Sequence, residues 1–373
     1  MYLSKILLTN FKNYDGAELI FSPRINCFVG DNGVGKTNIL DSIHYLSLTK
    51  SYFTNVDLNN IKHGEDYFIV KGEFRNGNDK NEVYCGFQRE KRKALKLNGK
   101  EYDKLSDHIG RFPVVMISPA DNSIISEGSD VRRKFMNNVI SQYDRGYLEE
   151  VIRYNKALKN RNRLLKDYGR AGTSDREMLS LWEHHMIPAA GKIYREREAF
   201  IKEIIPVFQE YYNHVSGQRE EVELVYRSQL EGQEMNRLFD ESYEKDRIMQ
   251  YTTAGIHKDD LLLMMDSYAI KDLGSQGQQK SYLVALKLAK FEYITKKGGK
   301  KPVLLMDDIF DKFDEKRVKQ IIKLVSDNKF GQIFITDTHQ ERLVSILEGV
   351  NIEYKLFRIN KGVEEVISNG DAS

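Results

Sequence analysis

INCFV-GDNGVGKT-NILDSIHYL, residues 25–46, is the stretch on which the reading of this chain turns. Five mostly apolar residues read as a buried strand. A glycine-rich loop follows, and Ile39, Leu40, Ile43 and Leu46 then recur at the spacing of a helix packed on a sheet. The loop Gly30–Thr37 meets G-x-x-x-x-G-K-[ST] at every required position, between a strand and a helix as that motif demands. Glycines let backbone bend around phosphates, and amides at a helix start point toward the anion. Gly30, Asp31, Asn32, Gly33, Val34 and Gly35 are therefore read as a phosphate cradle. Lys36 is read as the cation on the β- and γ-phosphates, and the Thr37 hydroxyl as a ligand of Mg²⁺. The cofactors expected are ATP and Mg²⁺.

The apolar run Val303–Met306 ends in Asp307 and Asp308. One carboxylate at a strand end can hold Mg²⁺, and the next can orient or deprotonate the attacking water. Asp307 is taken as the metal residue and Asp308 as the catalytic one. Asp307 lies 271 positions after Lys36, far more than in compact GTPases. A head interrupted by an insertion is the ABC/SMC arrangement. Between the two motifs, LGSQGQQKS at Leu273–Ser281 opens a helix about thirty residues before the aspartates. Ser275, Gly277 and Gln278 fall at matching positions of the ABC signature, and Gln276 replaces its usual glycine. Since Gly30–Thr37 already holds the local phosphates, this loop can serve a second nucleotide across a dimer. Read in isolation it is an ordinary helix N-cap.

Outward from these motifs, the chain reads as α/β: an ABC/SMC-type ATPase head, a mixed sheet with a phosphate loop, carrying an inserted helical lobe. Strands LSKILLTNF and ELIFS precede the loop, and antiparallel strands fill 65–116, followed by PVVMIS. From 131 to 251 amphipathic helix dominates, with a break near Gly169–Ser174, so the head is placed at 1–130 and 252–373 and the lobe at 131–251. Strand–helix alternation returns near the end and argues for a largely parallel sheet. The tail after Gly362 is short, and its last residues read as disordered.

The 373 residues are 40% hydrophobic and 30% charged, with a net charge of +2. No apolar run approaches the ~18 residues of a membrane span. Cys27 and Cys85 stand 58 positions apart without a CxxC or histidine cluster, so they read as reduced core thiols of an intracellular protein. Net charge does not announce a nucleic-acid partner, but its distribution is uneven. Arg145, Arg153, Lys156, Lys159, Arg161, Arg163, Lys166 and Arg170 face only Glu149, Glu150 and Asp167 within 145–170. Such runs are either solvated helix faces or, if they share one face, a DNA footprint.

Three further blocks carry a resemblance. They are LTNFKNYDGAEL at Leu8–Leu19, FPVVMISPADNSIISEGSDVRRKFMN at Phe112–Asn137 and TTAGIHKDDLLL at Thr252–Leu263. With SQGQQ, they resemble the RecF family of bacterial DNA gap-repair ATPases over nearly the full length. The resemblance implies ATP-dependent homodimerisation, binding to single-/double-strand junctions and gapped DNA, cooperation with RecO and RecR, and a cytoplasmic, nucleoid-associated location. It brings Lys12 and Asn13 of the first block to the nucleotide. Lys12 stands where the family usually has arginine, Asp121 lies in a divergent ADNS block, and Asp311 stands where serine is usual. Asp337 falls about where a switch histidine is expected, and His339 reads as a surface residue.

The expected mechanism is a slow ATPase used as a switch. Each ATP would sit between Gly30–Thr37 of one copy and Ser275–Gln278 of the other. Lys36, Asp308, Ser275 and Gln278 would act on the phosphates, and hydrolysis would release DNA. Candidate DNA contacts are Arg132, Arg133, Lys134, Lys156, Arg161 and Arg163. Arg132 and Arg133 are equally compatible with ion pairs to the acidic stretch Glu220–Glu223. The competing reading is an ABC-type ATPase subunit that couples hydrolysis to a non-DNA partner. An apolar docking groove on the lobe, in place of basic patches, would mark it.

Overall fold

The computed structural model describes residues 1–217, 220–310, 313, 315–326, 329–349, 353–360 and 363–368. The chain forms two compact units. One comprises Met1–Asp121, Tyr211–Gly217 and Leu283–Ser373, and the other Asn122–Glu210 and Gln218–Tyr282.

The first unit opens with strands β1 (Tyr2–Phe11), β2 (Tyr14–Ile20) and β3 (Ile25–Val29), and helix α1 (Lys36–Leu48). Strands β4 (Tyr67–Asn76), β5 (Asp79–Gln88), β6 (Ala94–Leu97), β7 (Lys100–Glu101) and β8 (Val114–Ile117) follow. The second unit contributes α2 (Asn122–Ser126), α3 (Ser129–Ile140), α4 (Arg145–Ala171) and most of α5 (Arg176–Ser216). It continues with β9 (Val222–Arg227), α6 (Met235–Met249), β10 (Asp260–Met265), β11 (Tyr268–Ala269) and α7 (Ile270–Leu273). Helix α8 (Gln276–Gly298) returns the chain to the first unit, with β12 (Val303–Met306), α9 (Glu315–Ser326), β13 (Ile333–Asp337), α10 (Gln340–Glu348), β14 (Tyr354–Ile359) and β15 (Val363–Ser368).

Two sheets make the first unit. One is antiparallel, in the order β2-β1-β4-β5-β6-β7. The other runs β15-β14-β3-β13-β12-β8, parallel throughout except for β15 on its edge. Its central strands are buried along their whole length, as strands covered on both faces are, and so they read as continuous apolar runs. Helix α1 touches β1, β4 and β5 of one sheet and β8 and β13 of the other. Packed on both sides, it buries Ser42, His44 and Ser47 along with its apolar residues, which is why its sequence shows only a weak stripe. Both cysteines are free and buried here.

Val363–Ser368 of the tail pairs with β14 as an edge strand, and the last residues, on which the expectation of disorder falls, lie beyond it. Residues 369–373 lie outside the described residues, as does Asp311. The lobe drawn at 131–251 differs in bounds from the compact unit, which comprises Asn122–Glu210 and Gln218–Tyr282. The reason is β9, a strand unread within the helical stretch, which pairs with β10 and so keeps the residues after 251 with the helices. A left-handed Gly172 ends α4 at the expected break. Among the described residues no helix is long and apolar enough to cross a membrane.

Candidate nucleotide site

Strand β3 delivers the chain to the loop at the C-terminal edge of the parallel sheet, where open α/β sheets bind ligands. Gly30 takes φ +148°, and a Cβ there would run into the Ile359 carbonyl at the end of β14. Gly35 takes φ +115°, and a Cβ would lie 2.5 Å from Asn13 Nδ2 and 2.9 Å from the Tyr14 hydroxyl. Both positions are closed to any side chain. The turn of the β1–β2 hairpin braces the loop from outside. Asn13 Nδ2 donates to the Val34 carbonyl (3.0 Å), Tyr14 to the Gly35 carbonyl (3.2 Å), and Asn38 to Asn13 Oδ1 (2.7 Å). Lys12 is turned elsewhere. Its ammonium pairs with buried Asp41 of α1 at 2.5 Å and lies over the Phe53 ring.

The Lys36 ammonium donates to the carbonyls of Gly30 (2.7 Å) and Asp31 (2.9 Å). Burial lowers its pKa, while Asp308, Asp307, Asp337 and Asp31 oppose that shift. Thr37 Oγ1 donates to Asp307 Oδ1 at 2.8 Å, and Thr336 Oγ1 donates to the same oxygen at 3.0 Å. Burial raises the Asp307 pKa, against the pull of those two hydroxyls and of Lys36. Asp308 adopts φ +48°, an uncommon conformation for a residue other than glycine, and its N–H donates to Thr336 Oγ1 (2.8 Å). Thr336 thus holds both aspartates. It was missed in the sequence, where the one available signal was a hydroxyl at the end of an otherwise apolar strand.

Thr37 and Asp307 are hard oxygen donors at one point, which suits Mg²⁺. Among the described residues no group of three or more His, Cys, Asp or Glu could hold a metal. Mg²⁺ commonly takes one or two protein ligands and completes its shell with phosphate and water.

At the start of α8, the Ser275 N–H donates to Gln278 Oε1 (2.9 Å) and the Gln278 N–H to Ser275 Oγ (3.3 Å). This is a capping box, each residue satisfying the other's amide. Gln278 also donates to Glu220 Oε1 (2.9 Å). Gly277 lies in the first turn, and Ser275 and Gln276 are exposed. At the end of β13, Asp337 accepts from Arg342 (2.8 Å) and from the His339 N–H (2.8 Å). His339 is the exposed N-cap of α10.

The candidate DNA contacts divide sharply. Arg161 is 0% exposed and bonded to Glu183, Asp246 and Thr252, so its assignment as a DNA contact is wrong. It lies on the face of α4 that also buries Tyr154, Ala157 and Leu165. Arg132 forms a two-pronged pair with Asp260 (2.7 and 3.0 Å), and Arg133 donates to Asp130 and to the Asp259 carbonyl. Their partners are therefore not Glu220–Glu223. Lys134 is exposed. On α4, Lys156, Lys159, Arg163, Lys166 and Arg170 are all exposed, and their 3- and 4-residue spacing sets them on one face.

The family model described as RecF/RecN/SMC N terminal domain matches residues 2–364. A curated relative from Flavobacterium johnsoniae, the DNA replication and repair protein RecF, is 47% identical over 96% of this chain and 100% of its own length. The protein of the same name from Bacteroides fragilis is 48% identical, over 97% of each chain. Among solved structures, the recombination mediator protein RecF with ATP, in the RecFOR pathway, superposes with a TM-score of 0.87 at 27% identity, covering 98% of this chain and 97% of the other. An SMC head domain from Pyrococcus furiosus, at 18% identity and a TM-score of 0.58, shares the fold.

Proposed function

This chain belongs to the RecF/RecN/SMC N-terminal domain family, and on that premise we propose that it is an ATP-dependent DNA replication and repair protein acting in recombinational gap repair. The observation that carries this reading is the junction of Thr37 with Asp307, which joins the phosphate loop to the acidic strand end.

ATP binds at Gly30–Thr37. Loop amides and Lys36 take the phosphates, and Asn13 keeps the loop in shape from behind. Bound Mg²⁺ would neutralise charge on the β- and γ-phosphates, with Thr37 and Asp307 as its protein ligands. Asp308 orients the water and accepts its proton as the water oxygen bonds to the γ-phosphorus and the bond to the ADP oxygen breaks, giving ADP and phosphate. Ser275, Gly277 and Gln278 of a second copy cap the nucleotide from the other side, with the start of α8 directed at the γ-phosphate. Closure of two copies over two ATP molecules, favoured because ATP binds that state more tightly, is the switch. Turnover is slow, stimulated by DNA, and resets it.

DNA engages the cationic face of α4 through its phosphates, and so with little sequence preference. Lys134 adds a further exposed cation on α3. Gapped and junction DNA are the expected substrates, RecO and RecR the expected partners, and the cytoplasm the expected location. A non-DNA partner is not favoured, given relatives of full-length match named for DNA replication and repair.

The test is ATP turnover and self-association measured with and without gapped DNA. Wild type should dimerise with ATP and speed up on DNA, whereas Lys36→Ala should do neither. DNA-independent turnover, with DNA retention intact in Lys36→Ala, would defeat the reading.

A further inference from the structure

The first unit buries a second polar cluster, centred on Asp121. Lys287 and Lys290 stand one turn apart on α8, 3% and 5% exposed. The Lys287 ammonium donates to Asp121 Oδ1 (2.5 Å), to the Tyr52 hydroxyl (2.9 Å) and to the Met116 carbonyl (3.1 Å). Tyr52 donates its own hydroxyl proton to the same Asp121 oxygen. The other Asp121 oxygen accepts the Ser118 N–H at 2.9 Å. Burial, then Asp121, pushes the Tyr52 pKa well up, so that proton stays in place. Burial, then Lys287, brings the Lys290 pKa well down.

The cluster reaches the nucleotide helix without a gap. The Tyr52 backbone N–H donates to Asp41 Oδ1 (2.6 Å), Ser51 Oγ to Asp41 Oδ2 (2.6 Å), and Lys12 pairs with that second oxygen. Asp41 sits on α1, five residues after Lys36, and is fully buried. A line of charged hydrogen bonds therefore runs Lys12–Asp41–Tyr52–Asp121–Lys287. Apolar residues of similar volume would stabilise the fold as well or better, so stability alone does not account for buried charges here. What such a cluster does supply is a fixed register between the elements it joins. Those elements are α1, whose first residues are Lys36 and Thr37, and the part of α8 from Leu283 onward, which belongs to the same compact unit.

We propose that Tyr52, Asp121 and Lys287 are positioning residues of the ATPase switch, fixing α1, which carries Lys36, against the Leu283–Gly298 stretch of α8 in the first unit, a register on which ATP-dependent association with a second copy depends. This inference rests on the two-copy reading of the site. The polar partners of these three side chains lie outside the phosphate loop. Removing them should leave ATP binding by one copy intact and weaken the closed dimer.

Tyr52→Phe removes one hydroxyl, and Lys287→Met removes the charge at similar volume. For each, affinity for a fluorescent ATP analogue is measured at monomeric concentration, ATP-dependent association by sedimentation, turnover, and the melting temperature. The expected result is analogue affinity within about twofold of wild type, with association weakened about tenfold or more, the scale of one charged hydrogen bond. Turnover should fall with association. If Lys287→Met does not fold, Tyr52→Phe decides alone. Association equal to wild type in the folded variants overturns the inference, as does a loss of analogue affinity equal to the loss of association. A wild-type chain that does not associate with ATP removes the two-copy reading and this inference with it. Association in wild type and variants alike removes the inference alone.

Discussion

Thr37 Oγ1 donates a 2.8 Å hydrogen bond to Asp307 Oδ1 across 270 positions of sequence. The hydroxyl comes from the first turn of α1 and the carboxylate from the end of β12. They meet because β3, which leads into the loop, and β12 both flank β13 in the same parallel sheet. Thr336 of that intervening strand completes the corner by donating to Asp307 and accepting from the Asp308 amide.

Asp308→Asn keeps the size of the side chain and removes its basicity. ATP affinity should stay within a few-fold of wild type, while single-turnover hydrolysis drops by at least ~100-fold, the usual worth of a positioned general base. Quench-flow with radiolabelled ATP separates the two quantities.

Thr37→Val removes the hydroxyl that binds Asp307 and would face Mg²⁺. Its ATP affinity should become nearly insensitive to chelation of Mg²⁺, whereas wild-type affinity should fall on chelation. Isothermal titration with and without EDTA reads the difference. Equal Mg²⁺ dependence in both proteins would exclude Thr37 as a metal ligand.

Arg161→Ala leaves Asp246 buried without its cation and Glu183 with only the part-exposed Arg176, and breaking a buried pair from one side costs about 3–5 kcal/mol. Urea unfolding should show that loss, while DNA affinity under conditions where the variant stays folded should match wild type. A DNA defect in a fully stable Arg161→Ala protein would contradict its interior placement.

Replacing Lys156, Arg163 and Lys166 together by alanine should weaken DNA binding uniformly across sequences. The slope of log affinity against log salt should fall by roughly 0.9 for each phosphate that the protein no longer neutralises. All three are exposed, so the melting temperature should barely move. An unchanged slope would remove α4 from the DNA surface.

Burial lowers the His108 pKa from 6.5 to about 4. Its bond to the Leu46 carbonyl (2.7 Å) opposes that shift, and Arg111 adds to it. His44 and His257 are shifted the same way, also by burial. Because the folded pKa lies below the unfolded one, the stability these rings provide is complete above pH 6.5 and drains away as pH falls toward 4. At most ~1.4 kcal/mol per pH unit is lost for each ring. Melting temperature should therefore drop between pH 7 and pH 5, and His108→Gln should flatten part of that drop.

Local chemistry made the site's halves legible before any fold was known. A phosphate loop needs glycine where a Cβ would collide, as at Gly30 and Gly35, and such constraints leave a mark on consecutive residues. The buried strands of the parallel sheet announced themselves as apolar runs for a similar reason. Strand β9 did not, because it alternates buried and part-exposed positions among charged residues and looks much like the amphipathic helices around it.

The basic run of α4 shows where such local reading stops. Sequence counted Arg161 with Lys156 and Arg163, since composition cannot say which way a helix is turned. One residue's rotation is about 100°, and the packing of α4 decided that Arg161 faces Glu183 and Asp246 while its neighbours face solvent.

By itself, then, the sequence determined the nucleotide loop, the acidic strand end, the capped turn at Ser275 and the order of strands and helices along the head. Each depends on residues close together in the chain. The tertiary structure alone decided that Thr336 links the two aspartates, that Lys12 answers Asp41, and that Tyr52, Asp121 and Lys287 share one buried cluster. Those relationships join residues tens to hundreds of positions apart. They arise where desolvated charges must find partners among whatever side chains packing brings within reach, and no local pattern records that choice.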